Sequence, residues 1–449
     1  MSSCFAAAVI TLALMGVAAC RDTTAIDRLP PRMVVRSPTA TVYDTDGDCL
    51  IDFDVVWQDS GGSGIDPATA RVRSLDGLDG PADTAANLLT VWRVDRRDAT
   101  GVAFHETRAN MLPSGTSRIE ISVADSAGLR VTDTVAVILP RGAFWKTVPS
   151  GLPPMGRTGS FAVDSVRRRL YLAHSKAVVI FDLDSLNVLA TVPAAVTGME
   201  FNRILLTSTG ELCATEFLRC LDPSTLTWGP DFNSAQAIAL AESEADNDLL
   251  YLGETYTGSI GIYSKSQHMR LGTVPYPPNP YNDEFVSDIV VLAGDRKLYA
   301  TRSNEGVILV LAPQTGAVVA RIPSGDALGL DLSRDERHLY AAFLGVAEID
   351  TYADTITRVL TPANADPIDV RLSPDGRLLF LVTQDINIPN EPYSSNYLID
   401  VNEWRIAETF PRPRPAGQVR YDQGVIFHPS GKLAFVAHNL DLDVYVIRR

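Results

Sequence analysis

A short apolar segment recurs seven times through the C-terminal two-thirds of the chain, and each copy follows a polar turn. The copies are Leu170-Tyr171-Leu172-Ala173, Leu212-Cys213-Ala214-Thr215, Leu250-Tyr251-Leu252-Gly253, Leu298-Tyr299-Ala300-Thr301, Leu339-Tyr340-Ala341-Ala342, Leu379-Phe380-Leu381-Val382 and Ala434-Phe435-Val436-Ala437. Their second positions, 171, 213, 251, 299, 340, 380 and 435, advance by a mean of 44 residues. An interval of that size is the length of one four-stranded blade. Short β-branched runs separated by Asp, Gly, Pro, Ser and Asn fill the rest, which is the pattern of an all-β chain.

The whole unit is plain between Ile368 and Phe410. Ile368–Leu372 reads as strand a, Ser373-Pro374-Asp375-Gly376-Arg377 as a turn, Leu378–Thr383 as strand b, Asn396–Val401 as strand c and Arg405–Phe410 as strand d. The last copy runs out at Val444-Tyr445-Val446-Ile447, its third strand. Trp145-Lys146-Thr147-Val148-Pro149-Ser150-Gly151, ahead of the first copy, matches the missing fourth strand. It is expected to pair with the C-terminal strand, which would remove an exposed edge. These repeats resemble the YVTN/NHL-type propellers of exported bacterial proteins. The resemblance implies a seven-bladed β-propeller over residues 143–449.

Residues 31–140 carry a different all-β pattern. Arg32–Arg36, Leu50–Trp57, Thr69–Ser74, Arg118–Asp125 and Thr132–Val137 alternate as strands, with Ile51, Phe53, Val55 and Trp57 on one face. Several short strands over about 100 residues suggest a sandwich. Asp59-Ser60-Gly61-Gly62-Ser63-Gly64-Ile65-Asp66, Leu112-Pro113-Ser114-Gly115-Thr116 and Val123-Ala124-Asp125-Ser126-Ala127-Gly128 together resemble a bacterial immunoglobulin-like (Ig-like) domain. The resemblance implies an Ig-like β-sandwich acting as a spacer or adhesive module.

The N-terminus fixes an expected location. Phe5 to Ala19 is uncharged and rich in Ala, Val and Leu. It is shorter than the roughly 20 residues of a membrane span and fits the core of a secretory signal. It ends in Val17-Ala18-Ala19-Cys20, which resembles the lipobox of bacterial lipoproteins, although Met1–Cys4 lacks Lys and Arg. That resemblance makes residues 1–19 a signal peptide, Cys20 the lipidated residue and 20–30 a linker. Arg21 after the cysteine points to the outer membrane rather than retention at the inner one. The implied protein is lipid-anchored in the cell envelope, on the periplasmic side or the cell surface.

The charge balance, 39 basic against 54 acidic residues for a net −15, disfavours nucleic acid. Arg167-Arg168-Arg169 and Arg412-Pro413-Arg414 are the nearest basic runs, and they read as a turn and a loop. Cys213 and Cys220 are spaced to face each other across a hairpin, as a disulfide or as two buried thiols. Asp44, Asp46, Asp48 and Asp52 have the alternation of a calcium loop, with Cys49 where glycine usually makes the turn. Ca2+ and a solvated acidic turn are both consistent with that run, the turn being favoured.

The long insertions fall on the side of the propeller opposite the a–b turns. Tyr276, Tyr281, Asn282 and Phe285 lie in one, and Asn390 and Tyr393 in another. They are the candidate binding face for a protein or glycan partner. Three functions follow from this reading: a non-catalytic binding or scaffold module, an adhesion or spacer module, and a propeller lactonase or lyase with a metal in the central channel. The last would draw on Glu200, Asp288, Asp331 and Asp369, which read more readily as hydrogen-bonded structural groups. None of the 6 histidines sits in a catalytic constellation, and no phosphate loop or serine elbow is present.

Overall fold

The computed structural model describes residues 29–448 apart from 39–43, 60, 80–85, 152–157, 175, 195–202, 216, 256–257, 275–285, 303–304, 363–364, 384–394, 412–421 and 439–440. The chain divides into two compact units, Met1–Pro140 with Arg448–Arg449, and Arg141–Ile447.

The first unit contains β1 (Arg32–Ser37), β2 (Asp52–Gln58), β3 (Ile65–Ser74), β4 (Arg93–Asp98), β5 (Gly101–His105), β6 (Gly115–Asp125) and β7 (Arg130–Leu139). They form a four-stranded sheet ordered β1-β2-β5-β4 and a three-stranded sheet ordered β3-β6-β7. One core joins the inner faces. Ile51, Phe53, Val55 and Trp57 meet Val72, Ile119, Ile121 and Val137, all nearly inaccessible. Phe53 stacks on Phe104 with centroids 4.5 Å apart, and Trp92 tilts against both rings. Trp92 also donates its indole N–H to the Asn110 carbonyl at 2.7 Å. The sequence reading did not name β4 or β5. Arg93–Asp98 is polar on both sides apart from Val94, so no alternation marks it.

This unit also takes Arg448. Its guanidinium donates to Glu106 Oε1 at 2.9 Å and Oε2 at 2.7 Å, and to the carbonyls of Leu112 and Cys49. Both charged groups are buried. Such a pair is tolerable only because its hydrogen-bonding capacity is largely satisfied.

The second unit is a succession of seven four-stranded antiparallel sheets among the described residues. We number them 1 to 7 in chain order. Their first strands are Thr158–Asp164, Ile204–Leu206, Ala237–Glu242, Val286–Val291, Leu330–Leu332, Pro367–Leu372 and Asp422–Phe427. Sheets 1 to 6 are meanders of four consecutive strands. Sheet 7 has three consecutive strands, and β8 (Gly142–Val148) supplies the fourth by pairing antiparallel with Asp441–Ile447. The first strands neighbour one another in sequence order, and that of sheet 7 also neighbours that of sheet 1. The arrangement is propeller-like.

Second strands are covered on both faces, so their central residues are apolar on both sides. Leu378–Thr383 is buried at every position. Fourth strands alternate instead, as Thr355–Leu360 does. In six sheets the register between third and fourth strands slips near the middle, at Ile180/Phe181, Ile262/Tyr263, Val310/Leu311, Glu348/Ile349, Leu398/Ile399 and Val444/Tyr445. A bulge there increases strand twist. β8 makes the same slip, so it behaves as a fourth strand in geometry as well as in order. Gly142 leaves room for the Phe410 ring where β8 passes sheet 6, since a Cβ there would lie 2.7 Å from Phe410 Cζ.

The stacked core of the first unit generates one expectation. Phe53→Ala removes the ring between Phe104 and Trp92. It should lower the unfolding free energy of that unit by about 3–5 kcal/mol, read as a shift of its urea midpoint.

Candidate functional site

The first strands of sheets 1 to 7 line a cavity of about 380 Å³. The strand nearest an axis of this kind has a free edge, whose N–H groups need acceptors. Side chains from the preceding sheet supply them. Ser160 Oγ accepts from Ile204 N at 2.7 Å. Asp288 Oδ2 accepts from Leu330 N at 2.9 Å, Asp331 Oδ2 from Leu372 N at 2.6 Å, and Asp369 Oδ2 from Val425 N at 3.0 Å. Each bond runs from one sheet to the next. Gly329 makes one approach possible, since a Cβ there would lie 2.7 Å from Asp369 Oδ1.

Two arginines balance these carboxylates. Arg203 donates to Asp288 Oδ1. Arg371 lies 3.3 Å from Asp369 Oδ1 and 4.0 Å from Asp331 Oδ1, and donates to the Leu330 carbonyl. Burial pushes the Asp331 carboxyl up to about 6, with Arg371 opposing. Burial likewise raises Asp369 against the pull of Arg371 and Arg203. For Arg371, burial works against the charge, but Asp369, Asp331 and Asp288 outweigh it and hold the guanidinium protonated. Chemically this is a mixed-charge lining whose acids hold strand edges. A metal ion here would have to take carboxylate oxygens from the backbone N–H groups they now serve.

The other sequence candidates are dispersed. Cys20, Glu200, Tyr276, Tyr281, Asn282, Phe285, Asn390 and Tyr393 lie outside the described residues. Cys213 and Cys220 are directly opposed on the second and third strands of sheet 2, and their sulfurs are bonded.

The acidic loop is held mainly by its own backbone. Asp44 accepts from the N–H groups of Gly47 at 2.6 Å and Cys49 at 2.8 Å. Asp46 Oδ1 accepts from Asp48 N at 3.2 Å, and Asp48 Oδ1 from Leu50 N at 2.8 Å. Cys49 adopts a left-handed φ of +64° where a glycine would be at ease. Burial pushes its thiol up to about 11, with Asp44 and Asp48 adding to the rise. Asp52 accepts from Thr45 and contacts His105, whose other ring nitrogen contacts Asp95. Burial alone would raise Asp52, but the bonds from Thr45 and His105 hold it below the usual range.

Asp46, Asp52 and His105 come close enough together to share a cation, as do Asp44, Asp46 and Asp48. The oxygens suit calcium by type. Many of their lone pairs are already committed, and the charge of Arg108 acts on both Asp48 and Asp46. Sequence reasoning missed His105, Asp95 and Arg108. The pairing of Asp52 with His105 across β2 and β5 becomes visible only once β5 is recognised.

The raised carboxyl sets a pH dependence. Between about pH 4 and 6, Asp331 is more protonated in the folded than in the unfolded chain, so stability falls as pH rises through that window. Solvent reaches 27 % of this side chain, which makes about 3 kcal/mol an upper bound on the effect. Asp331→Asn keeps an acceptor for Leu372 N and should flatten this slope in chemical denaturation series run from pH 4 to 7.

No protein-family model matches the sequence, and no curated protein is detectably similar to it. The β-propeller domain of Cps50 (Swd1) from Myceliophteria thermophila is similar in structure, with a TM-score of 0.56 at 12% identity, over 68% of this chain and 99% of that one. At that identity the likeness speaks for fold alone: the chain contains a β-propeller.

Proposed function

We propose that the protein is a cell-envelope lipoprotein in which a seven-bladed propeller serves as a non-catalytic binding scaffold. In this reading the seven sheets are its blades, and the first unit is an Ig-like sandwich acting as spacer behind a lipidated Cys20. One observation carries the proposal: the channel acids Asp288, Asp331 and Asp369 each cap a backbone N–H of the next sheet. They support the ring, which leaves recognition to the connections between sheets. The longest of these span residues 275–285, 384–394 and 412–421, each following a fourth or a second strand. They hold Tyr276, Tyr281, Asn282, Phe285, Asn390 and Tyr393. A protein or glycan is the partner that such aromatic and amide side chains suit.

We read the acidic loop as a turn capped from within, with Arg108 countering its charge. Calcium is the cation its oxygens would take. A stoichiometric metal in the purified protein, with a melting point lowered by chelator, would replace this reading.

The anchor is tested by expressing the full gene with Cys20→Ser in a bacterium that processes lipoproteins. The parent should incorporate labelled palmitate and sediment with membranes, whereas the variant should do neither. The scaffold is tested by photo-crosslinking from positions 283 and 394, beside Tyr281 and Tyr393, in the same cells. Defined adducts that disappear with Tyr281→Ala and Tyr393→Ala, at an unchanged melting point, support it. Hydrolysis of a lactone that is lost with Asp288→Asn would overturn it.

A further inference from the structure

The turns between first and second strands repeat one device. In sheet 2, Ser208 N donates to Glu242 Oε2 of sheet 3 at 2.6 Å. In sheet 3, Glu244 N and Ala245 N donate to Asp295 Oδ1 of sheet 4 at 2.8 and 3.2 Å, while the Ser243 and Tyr251 hydroxyls donate to Oδ2. In sheet 4, Ala293 N donates to Glu336 Oε1 of sheet 5 at 3.0 Å, and Arg296 to Oε2 at 2.8 Å. At each of these junctions a carboxylate from the following sheet caps the turn.

Position along the repeat is the same for the last two. Asp295 and Glu336 stand four residues before the second-strand tyrosines Tyr299 and Tyr340, at left-handed φ of +52° and +56°. The donor Ala293 stands six residues before Tyr299. In sheets 6 and 7 the residue six before Phe380 and Phe435 is Pro374 and Pro429, which have no N–H to cap.

Sheet 5 has the donor without the cap, as does sheet 1 at Ser165, six residues before Tyr171. Arg334 stands six residues before Tyr340, and no acceptor reaches its N–H among the described residues. The residue that would cap it from sheet 6 is Gly376, at φ +75°, where an added Cβ would meet nothing within 4 Å. A cavity of about 340 Å³ opens at this junction, lined among others by Arg334, His338, Tyr340, Glu348, Gly376 and Asn402. That volume lies in the range of small-ligand pockets.

The lining carries two cations, Arg334 and Arg358, and two carboxylates, Asp335 and Glu348. Both carboxylates are engaged: Asp335 Oδ1 accepts from Ser333 Oγ at 2.7 Å and Arg337 N at 3.2 Å. Glu348 is already taken by Arg358, with Nε at 3.0 Å and Nη2 at 2.6 Å, and by Thr357 Oγ1 at 2.9 Å. His338 Nδ1 is buried without a hydrogen bond, 3.7 Å from Glu348 Oε1. The Arg334 guanidinium makes no ion pair among the described residues.

We infer that the junction between sheets 5 and 6 binds a carboxylate, carried by an Asp or Glu side chain of a partner segment or by a free small acid. Its oxygens take the place that Asp295 and Glu336 fill at the neighbouring junctions. They accept from Arg334 N, with the Arg334 guanidinium and His338 beside them. This site lies at the turn end of the sheets and does not depend on the scaffold reading above.

The test follows the Arg334 amide resonance of the purified, 15N-labelled protein. The probes are the capped tripeptide acetyl-Ala-Glu-Ala-amide, its Gln counterpart, and glutarate, each raised to about 10 mM, ten times a millimolar Kd. The Glu peptide should shift the resonance and the Gln peptide should not. Gly376→Asp supplies the carboxylate internally. It should abolish the probe response, while the strain of a side chain at φ +75° offsets the new bond in the melting point. Binding of the Glu peptide at least tenfold tighter than glutarate identifies a protein segment as the ligand; comparable binding identifies a free acid. Failure of both acidic probes to bind the parent protein overturns the proposal, whatever the variant's melting point.

Discussion

Everything in the second unit hangs on the pairing of Gly142–Val148 with Asp441–Ile447. Remove it and sheet 7 ends on an open third strand, and the row of first strands loses one of its two fixed ends. The hydrogen bonds that pass from Ser160, Asp288, Asp331 and Asp369 to the next sheet work only in a row whose spacing is held. A closed ring holds that spacing without a cap at either end, which open repeat stacks require.

Much of the acidic excess belongs to this scaffolding. Asp182, Asp222, Asp350 and Asp400 end third strands and accept from N–H groups of the turns that follow. Asp295 and Glu336 join sheets. A net charge of −15 therefore describes a surface potential less than it describes how many turns and junctions are tied by carboxylates. The same accounting marks the junction at Gly376, where the chain provides a donor and withholds the acid beside a cavity.

The propeller was legible because its second strands are buried on both faces and recur at a mean interval of 44 residues. Leu339-Tyr340-Ala341-Ala342 and its relatives announce themselves without any alternation to decode. β4 was not legible, since Arg93–Asp98 carries one apolar residue on an otherwise polar ribbon, and β5 was not named although Val102 and Phe104 are both buried in it. At the channel, Asp288, Asp331 and Asp369 could be singled out as acids in first strands. Arg203, Arg371 and Ser160 could not, because their roles depend on which strands become neighbours around the ring. His105 was missed for the same reason: its partner Asp52 is 53 residues away along the chain.

Ring closure also imposes an order on synthesis. Thr147 and Asp443, which meet through a side-chain hydrogen bond, are separated by 296 residues. At about 5–20 residues per second a ribosome completes that interval in roughly 15–60 s. For that time β8 is a strand without a partner, and the six sheets that follow it assemble beside an unfilled edge. Lys146, stacked on Trp145 in the middle of β8, places a charge where a stray strand would otherwise add. The residue that discourages wrong neighbours early sits in the strand that secures the right one at the end.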